Sequence, residues 1–334
     1  MGGVEVVAVL GAGIAGASAA RALADNGVAV RVYDKGRAPG GRAATRVRDG
    51  AHFDHGAQYF TARDPAFIAA VDRLRERGVV ARWQPRMSVI DADGRREPGT
   101  HETRWVAQPG MSALAADLLL GLDVQCSRRV VDCTRDAHGW WLQLADGGRE
   151  GPFASLLCTL PATQAVELLP HEAVSRDAAA IRFAPCWAVM LEFDRPIELE
   201  FDAAFVNHGP LSWIARDSSK PLRPSGERWL VHAGPRFSRA HLESTPDAVG
   251  PEILAAFAGI TGSGHAPARW WAHRWRYALA EAPLDAGALA DATRRIALGG
   301  DWCCGSRLEG AWLSGRALAA HALAWAGAAR GATC

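Results

Sequence analysis

The chain has 334 residues, of which 49% are hydrophobic and 22% charged, and its formal net charge at pH 7 is +1. This composition is typical of a well-buried globular protein, and the length suits two lobes of about 100–200 residues each. Because the charge is near zero and no block of Lys or Arg stands out, neither nucleic acid nor an anionic membrane is an expected partner.

Seven cysteines are scattered through the chain, at positions 126, 133, 158, 186, 303, 304 and 334. Their odd number and the lack of a C-x-x-C pair favour reduced thiols in a cytoplasmic protein over a disulfide framework. Residues 4–24 are apolar, but Gly11, Gly13 and Gly16 interrupt them and a basic start is missing. We therefore expect neither a secretory signal nor a membrane span there.

The first 34 residues have the pattern of a βαβ unit. A β-branched run at 4–10 predicts a strand buried on both faces, and the G-x-G-x-x-G loop Gly11–Gly16 follows it. A helix is predicted over 17–27, and a second buried strand over 28–34 ends at the acid Asp34. This context favours a dinucleotide-binding fingerprint over an ordinary glycine-rich turn.

The glycines of this loop have separate predicted roles. Gly11 allows the tight turn, Gly13 lets the backbone approach a pyrophosphate, and Gly16 lets the helix pack closely on the strand. The helix start offers unpaired N–H groups and a partial positive charge to the phosphates, and Asp34 accepts hydrogen bonds from a ribose. The cofactor-binding residues predicted here are Gly11, Gly13, Ile14, Ala15, Gly16, Asp34 and Lys35.

The rest of the chain alternates between predicted helices and strands. Asp64 is a natural N-cap and Pro65 a natural first residue for a helix that Gly78 ends. The other predicted helices cover residues 110–121, 245–259 and 309–327. The predicted strands cover 123–133, 139–145, 153–162 and 294–301, and a second, mixed or antiparallel sheet has strands at 186–193, 211–216, 228–234 and 269–275.

This order predicts an α/β fold with a Rossmann-type dinucleotide-binding lobe built from discontinuous segments. The predicted segments of that lobe are residues 1–62, 104–163 and 278–334. A substrate lobe with a mixed or antiparallel sheet and helices is predicted from residues 63–103 and 164–277.

The residues after Asp34 indicate whether the predicted cofactor is FAD or NAD. Gly40, Gly41 and Arg42 follow it, and an acid followed by G-G-R resembles the second cofactor motif of the flavin amine oxidase superfamily. That family usually has Glu where this chain has Asp34. The resemblance implies FAD as the cofactor, with the chain running close to it at Gly41 and Arg42 pairing with the pyrophosphate.

The segment from Ala297 to Ala319 resembles the last FAD segment of the same family: a strand, G-D, a loop, and E-G-A opening a helix. The resemblance implies that Asp301, after Gly300, binds the ribitol or pyrophosphate. The helix start would direct its positive end at flavin N1 and O2, which favours hydride acceptance. The residues implied are Gly300, Asp301, Glu309, Gly310 and Ala311, with Val130 touching the adenine through its backbone.

The resemblance extends over nearly the whole chain to the bacterial renalase-like flavoproteins, through FDHGAQYFTARDP, LSWIARDSSKP, WLVHAGPRFSRAHLE, HRWRYALA and GDWCCGSRLEGAWLSGRALA. It implies an oxidase that passes a hydride from 2- or 6-dihydro-NAD(P) to flavin N5 and then to O2, giving NAD(P)+ and H2O2. One departure is Asp217, where Asn is expected, which alters the charge offered to a substrate.

Two alternatives stay open. A flavin amine oxidase often holds the substrate nitrogen between two aromatic rings, and this chain has 3 Tyr but 13 Trp to supply them. The second alternative is a flavin-binding protein with little turnover. Hydride loss from a dihydropyridine leaves an aromatic cation and needs no strong base. Oxidation of dihydro-NAD(P) therefore requires only that the site position the dihydropyridine ring.

The resemblance implies that Gln58, Tyr59 and Phe60 lie near the isoalloxazine, with a structural loop as the alternative. Trp213 and His232 either line the pocket or belong to the core. These five are the candidate catalytic residues.

Other polar residues have weaker predicted roles. Lys220 is expected to be a solvated loop lysine rather than a group near flavin N5, and Arg216 and Arg274 are candidates for a nucleotide phosphate. His52 and His55 lack the partners for a zinc site, so no metal is predicted. Cys303 and Cys304 lie beside the cofactor segment, but the family's linking cysteine lies further upstream, so FAD is expected to bind non-covalently.

Overall fold

The computed structural model describes residues 5–99 and 102–331, with the backbone alone at 329–331. Cys334, among the cysteines counted above, lies outside the described residues. The first strands are β1 (Val6–Leu10), β2 (Ala29–Tyr33), β3 (Thr45–Arg48), β4 (Ala51–Asp54), β5 (Val80–Trp83), β6 (Met87–Ile90), β7 (Arg96–Pro98), β8 (Arg104–Ala107), β9 (Asp123–Gln125) and β10 (Val130–Asp136). They are followed by β11 (Gly139–Leu144), β12 (Arg149–Phe153), β13 (Ser155–Cys158), β14 (Phe183–Phe193), β15 (Ala203–Val206), β16 (Leu211–Arg216), β17 (Glu227–Ala233), β18 (Arg269–Ala280), β19 (Leu289–Asp291) and β20 (Ile296–Leu298).

The helices are α1 (Ile14–Asp25), α2 (Pro65–Glu76), α3 (Ala113–Leu118), α4 (Ala162–Leu168), α5 (Val174–Ala178), α6 (Pro235–Ala240), α7 (Pro246–Thr261) and α8 (Leu308–Gly331). Short 3-10 turns lie at Gly41–Ala43, Asp217–Ser219 and Asp301–Cys303.

A six-stranded sheet has the order β19-β20-β13-β1-β2-β9, in which every pair but β19–β20 is parallel. Val7 to Leu10 of β1 are buried, as expected for a strand covered on both faces. Helix α1 packs against α8, and a Cβ on Gly315 would lie 2.3 Å from the carbonyl oxygen of Ala15, so that glycine permits the close approach of the two helices.

A seven-stranded sheet has the order β18-β14-β17-β16-β15-β6-β7 and is antiparallel except for the parallel pair β15–β6. Helix α7 covers one face of it through Val249, Ile253 and Phe257, which are buried in one hydrophobic cluster with residues of the sheet. The smaller sheets are β10-β11-β12 and the pairs β3–β4 and β5–β8. The predicted α/β class, with a parallel Rossmann sheet and a second mixed sheet, is confirmed.

Helix α2 begins as its sequence predicts. The carboxylate of Asp64 accepts hydrogen bonds from the N–H groups of Ala66 and Phe67, and Pro65 occupies the first helical position, where a missing N–H costs nothing. The apolar face of the helix, which includes Phe67, Val71 and Leu74, is buried.

Several predicted elements differ from the structure. Of the strand predicted over 153–162, only Ser155–Cys158 forms β13, and α4 begins at Ala162. The strand predicted over 123–133 is divided into β9 and β10, because Ser127 adopts a φ of 57° and turns the chain out of the first sheet. The helix predicted over 110–121 contains only Ala113–Leu118 as α-helix. No helix among the residues described is long and apolar enough to cross a membrane.

Candidate active site

A cleft of about 1240 Å³ lies where the parallel strands β1, β2, β13 and β20 end. Gly11, Asp34, Thr159 and Gly300 follow these strands and line it. The carboxyl ends of parallel strands are the usual ligand-binding edge of an α/β sheet. Residues of β18 and β17, from the seven-stranded sheet, line it as well.

The structure brings most of the predicted cofactor-binding residues to this cleft. Those that line it are Gly11, Gly13, Ile14, Ala15, Asp34, Lys35, Gly41, Arg42, Gly300, Asp301, Glu309 and Ala311. Val130 lines an adjoining cavity of about 290 Å³, together with Asp34 and Arg128.

Two predicted cofactor-binding residues, Gly16 and Gly310, lie behind the cleft wall. A Cβ on Gly16 would lie 1.9 Å from the carbonyl oxygen of Gly11, and one on Gly310 would lie 2.2 Å from that of Cys304. Both glycines are therefore required for packing. For Gly310 this corrects the expected cofactor contact, because its Cα faces the chain and not the cleft.

Gly13 has no comparable packing requirement. It is the N-cap of α1 with a φ of −76°, and a Cβ there would meet only the Cα of Gly41, at 3.9 Å. Its lack of a side chain leaves the start of α1 open toward the cleft. The first amides of a helix have no partner within the helix, so they are directed at whatever the cleft binds.

Asp34 is held rigidly at the end of β2. One carboxylate oxygen accepts the N–H of Ala12 and the other the N–H of Gly36, both at 2.6 Å. Each carboxylate oxygen has a second lone pair, so the side chain can still accept a bond from a hydroxyl group of a ligand. Lys35 beside it is exposed, with its Nζ 3.4 Å from the side-chain oxygen of Gln164.

Arg42 and Asp301, for both of which a cofactor contact is predicted, bind each other on the cleft wall. Two guanidinium nitrogens of Arg42 lie 3.0 and 2.5 Å from the two carboxylate oxygens of Asp301. Asp301 is only 6% exposed, and a buried carboxylate needs a partner. The pair joins the G-G-R segment to the C-terminal segment and leaves a planar guanidinium on the cleft wall.

Helix α8 begins at the cleft, with Leu308, Glu309 and Ala311 lining it. The carboxylate of Glu309 accepts the N–H groups of Arg63 and Asp64, each at 2.7 Å, so it fixes the helix start against the loop before α2. The positive end of the helix dipole is thereby directed into the cleft.

One wall of the cleft is formed by His232, His273 and Trp275 of the seven-stranded sheet together with His55, which follows β4. The ring centroids of His55 and His273 lie 4.8 and 4.4 Å from that of Trp275. The carbonyl oxygen of His55 accepts the Nε1–H of Trp275 at 2.8 Å and lies 3.3 Å from His232 Nε2. We call these four residues the histidine wall.

The histidine wall is uncharged at neutral pH. Burial lowers the pKa of His55 to about 3, helped by the neighbouring His273, and lowers the pKa of His232 to about 4. Burial and the charge of Arg46 lower the pKa of His273 to about 4. A guanidinium only donates hydrogen bonds, so the 3.1 Å contact from Arg46 makes Nδ1 of His273 an acceptor and leaves its proton on Nε2.

The candidate catalytic residues are only partly brought together. Tyr59, Phe60 and His232 line the cleft, and the ring of Tyr59 stands 5.7 Å from that of Trp213. Trp213 itself is 5% exposed behind Tyr59, and Gln58 is turned into the protein interior. Neither lines the cleft, so Trp213 belongs to the core and Gln58 to a structural loop, which are the alternatives predicted for them.

A buried charge network lies behind Gln58 and consists of Asp54, Asp217, Lys220 and Arg223. The Nζ of Lys220 lies 2.5 Å from Asp217 and 3.3 Å from Asp54, and Arg223 lies 2.5 Å from Asp54. Lys220 is only 2% exposed, so its interpretation as a solvated loop lysine is wrong. Asp217 is equally buried, so its charge is neutralised within the network and not offered to a substrate.

The pKa values in this network follow from burial and charge. Burial alone would raise the pKa of Asp54, but the charges of Lys220 and Arg223 hold it below its usual range. Burial raises the pKa of Asp217 against the opposing charge of Lys220. Lys220 also donates to the side-chain oxygen of Gln58 at 3.2 Å, so the network supports the loop that leads to Tyr59.

The two arginines considered for a phosphate point away from the cleft. Arg216 pairs with Glu227 at 2.8 Å, and Arg274 donates to the carbonyl oxygen of Leu242. Cys303 is buried in a hydrophobic cluster, and burial raises the pKa of its thiol. Cys304 lies against the carbonyl oxygen of Gly287, and neither thiol lines the cleft.

The sequence analysis did not assign a site role to His55, His273, Trp275, Arg46 or Arg48, all of which line the cleft. A usable signal was present for β18. Alternate residues of a strand share one face, so 273, 275 and 277 lie together while Arg274 faces the other way.

Comparisons with known proteins agree with this geometry. Residues 9–74 match the NAD(P)-binding Rossmann-like domain, and residues 87–323 match the family described as flavin containing amine oxidoreductase. The chain belongs to the flavin-containing amine oxidoreductase family. It is therefore an FAD-dependent oxidoreductase.

Individual relatives of this flavoprotein are distant. A hydroxyneurosporene desaturase of Rubrivivax gelatinosus is 40% identical over 104 residues, and the chain covers only 20% of that relative's length. A putative protoporphyrinogen oxidase from Exiguobacterium sp. 255-15 has a TM-score of 0.76 at 13% identity, covering 96% of this chain and 98% of that one. Putrescine oxidase bound to putrescine has a TM-score of 0.73 at 14% identity, covering 96% and 99%. At sequence identities of 13% and 14%, the similarity shows that these solved structures and this chain share a fold.

The residues present fit FAD. The cleft starts at the open helix end beside Gly13, passes the carboxylate of Asp34, and reaches the start of α8 beside Ala311. A dinucleotide that carries a diphosphate, a ribose and an electron-rich ring meets a complementary group at each of these points.

Proposed function

We propose that this flavoprotein is a renalase-like oxidase of isomeric dihydronicotinamide dinucleotides, the 2- and 6-dihydro forms of NAD(P). The reaction consumes dihydro-NAD(P), O2 and a proton and yields NAD(P)+ and H2O2. The uncharged histidine wall carries the proposal. A dihydropyridine loses a hydride without losing a proton, so its oxidation needs a positioning surface and no general base.

Bound FAD supplies the redox chemistry, taking the hydride equivalent from the substrate and returning the electrons to O2. The side chains of this protein bind the substrate and orient its nicotinamide ring. The rings of Trp275 and His55, tilted by 33° to each other, offer an uncharged face against which the nicotinamide ring packs, and the His273 ring stands edge-on to Trp275 at 74°. Nε2 of His273 carries a proton and can donate a hydrogen bond, for example to the carboxamide oxygen of a nicotinamide.

We assign the remaining site residues to the cofactor. The start of α1 at Gly13, Ile14 and Ala15 holds the diphosphate, Asp34 a ribose, and the backbone at Val130 the adenine. The start of α8 at Ala311 stabilises the electron-rich end of the flavin. FAD is bound non-covalently, which agrees with the position of both cysteine thiols away from the cleft. The FAD-binding domain comprises residues 1–62, 104–163 and 278–334, and the substrate domain 63–103 and 164–277.

The experiment is anaerobic mixing of the yellow holoprotein with 2- or 6-dihydro-NAD(P), followed at the flavin absorbance bands. We expect bleaching within seconds and recovery of the colour, with formation of H2O2, when O2 is admitted. Putrescine and other small amines serve as the comparison. Bleaching by amines alone would overturn the proposal in favour of an amine oxidase, and no bleaching by any of these reductants would favour a flavin-binding protein with little turnover.

A further inference from the structure

A group of three arginines lines the cleft near the histidine wall. Arg46 and Arg48 alternate on β3, so they share one face of the β3–β4 hairpin. That face is directed at β18, because Phe53, the partner of Arg46 across the hairpin, packs 5.8 Å from Trp271. Arg37 reaches the cleft from the loop after Asp34. We call Arg37, Arg46 and Arg48 the arginine rim.

The arginine rim is not neutralised within the described part of the chain. No salt bridge to an acid is made there by any of its three members, whereas three further cleft arginines are paired, Arg42 with Asp301, Arg63 with Glu102 and Arg276 with Glu243. Arg46 donates only to an uncharged imidazole. The Nε of Arg48 is buried and has no hydrogen-bond partner among the described residues.

The rim arginines share one cleft, and Arg46 and Arg48 lie two residues apart on β3. Burial lowers the pKa of Arg46, and the charges of Arg48 and Arg37 lower it further. Like charges on one wall repel, and the partly buried guanidinium groups of Arg46 and Arg48 have lost some hydration. An anion with several oxygen atoms would relieve both costs at once, and guanidinium groups match the oxygens of phosphates in geometry.

The contacts of Arg46 separate it from the expected site of the cofactor's diphosphate. That site is the start of α1, where the open amides lie next to Gly13 and Gly41. Arg46 instead contacts His273, a member of the histidine wall. An anion bound at the rim would therefore lie next to the surface on which the substrate ring packs.

We propose that the arginine rim is a second anion subsite, which binds the diphosphate of a dinucleotide substrate while its dihydronicotinamide ring lies on the histidine wall. The inference rests on the proposed function and names the part of the substrate that gives affinity. It also gives a physical reason against a polyamine substrate, because ammonium groups would meet three uncompensated positive charges.

The first test uses stopped-flow reduction of the holoprotein under anaerobic conditions. The variants are Arg37→Gln/Arg48→Gln, a double variant that keeps the contact between Arg46 and His273, and, separately, Arg37→Gln, whose exposed side chain leaves the fold undisturbed. We expect the Kd for 2- or 6-dihydro-NAD to rise about 10- to 100-fold in the double variant and about 5-fold for Arg37→Gln, with the limiting rate of reduction unchanged. The Kd for the matching dihydronicotinamide riboside, which has no phosphate, should change less than about 2-fold.

Arg276→Gln is the matched control, since it removes a cleft arginine that Glu243 already neutralises, and its Kd for the dinucleotide should stay within about 2-fold. Equal Kd values for the dinucleotide in wild type and both rim variants would overturn the subsite while leaving the proposed function intact. So would an equal rise in Kd for dinucleotide and riboside, because the phosphates would then not be the groups that are bound.

A second measurement does not depend on turnover. Inorganic pyrophosphate should raise the melting temperature of the oxidised wild-type holoprotein at unchanged FAD content, and should fail to do so in the double variant. If pyrophosphate stabilises only the wild type and no dihydronicotinamide reduces the flavin, the anion subsite stands and the proposed function fails. If pyrophosphate stabilises both proteins equally, the rim is not its site.

Discussion

Replacement of Gly13 by valine separates cofactor binding from protein stability. The φ of Gly13 is −76° with an extended ψ, which any residue adopts, and an added Cβ would meet only the Cα of Gly41, at 3.9 Å. The apoprotein should therefore lose little stability, within about 0.5 kcal/mol. In the holoprotein, however, the new side chain would occupy the space through which the first amides of α1 reach the diphosphate.

The expected loss of affinity follows from the contacts that the side chain would block. Two hydrogen bonds to a charged phosphate, at about 1.5–3 kcal/mol each, correspond to a rise in Kd for FAD of about 100- to 10,000-fold. The assays are the flavin absorbance of the purified protein, titration of the apoprotein with FAD, and the melting temperature of the apoprotein.

Two other glycines serve as controls for the Gly13→Val variant. Gly259 has nothing within 4 Å of its would-be Cβ and lies inside α7, so Gly259→Ala should leave FAD affinity unchanged and should raise the free energy of unfolding by about 0.5–1 kcal/mol. Gly16→Ala should lower the stability of the apoprotein itself, because its Cβ would lie 1.9 Å from the carbonyl oxygen of Gly11. If Gly13→Val retained the FAD content of the wild type, the assignment of the N-terminal loop to the diphosphate would be refuted.

Three further predictions concern stability. Lys220→Met leaves two buried carboxylates short of a cation and should lower the free energy of unfolding by about 3–5 kcal/mol in a denaturant titration, and a loss under about 1 kcal/mol would contradict the buried network. His232 has a pKa of about 4 when folded against 6.5 when unfolded, so the unfolded state binds the extra proton between these values and stability should fall as pH drops from about 6.5 to 4. His232→Asn should flatten that part of the curve, and an unchanged slope would show that other groups cause it. Asp64→Ala removes the cap of α2 and should cost about 1 kcal/mol, whereas Asp64→Asn, which keeps an acceptor, should cost less.

The proposed substrate and the proposed anion subsite are consistent with each other. The histidine wall is uncharged, while the rim carries positive charge next to it. A molecule that carries an oxidisable dihydropyridine ring at one end and phosphates at the other fits both surfaces. The amine substrates named for some of the structural neighbours fit neither feature, since a protonated amine would gain nothing from imidazoles and would be repelled by guanidinium groups.

Several elements could be predicted because their signals are local. The βαβ unit around the G-x-G-x-x-G loop depends on side-chain period, glycine conformations and an acid at a fixed position, all contained within about 30 consecutive residues. The start of α2 depends on Asp64 and Pro65 alone. The strand limits near residue 127 were wrong because the division into two strands follows from sheet pairing, since β9 pairs with β2 and β10 with β11.

The sequence by itself thus determined the α/β class, the cofactor and the glycine loop that faces it, because backbone conformation and short-range spacing encode these features. Only the tertiary structure decided the partners of the charged residues. Arg42 meets Asp301 from 259 positions away, and Lys220 is enclosed by Asp54, 166 positions distant, so neither its burial nor its partner has a local signature. The same holds for the cleft wall, where His55, His273 and Arg46 come together from segments that only the folded chain brings into contact.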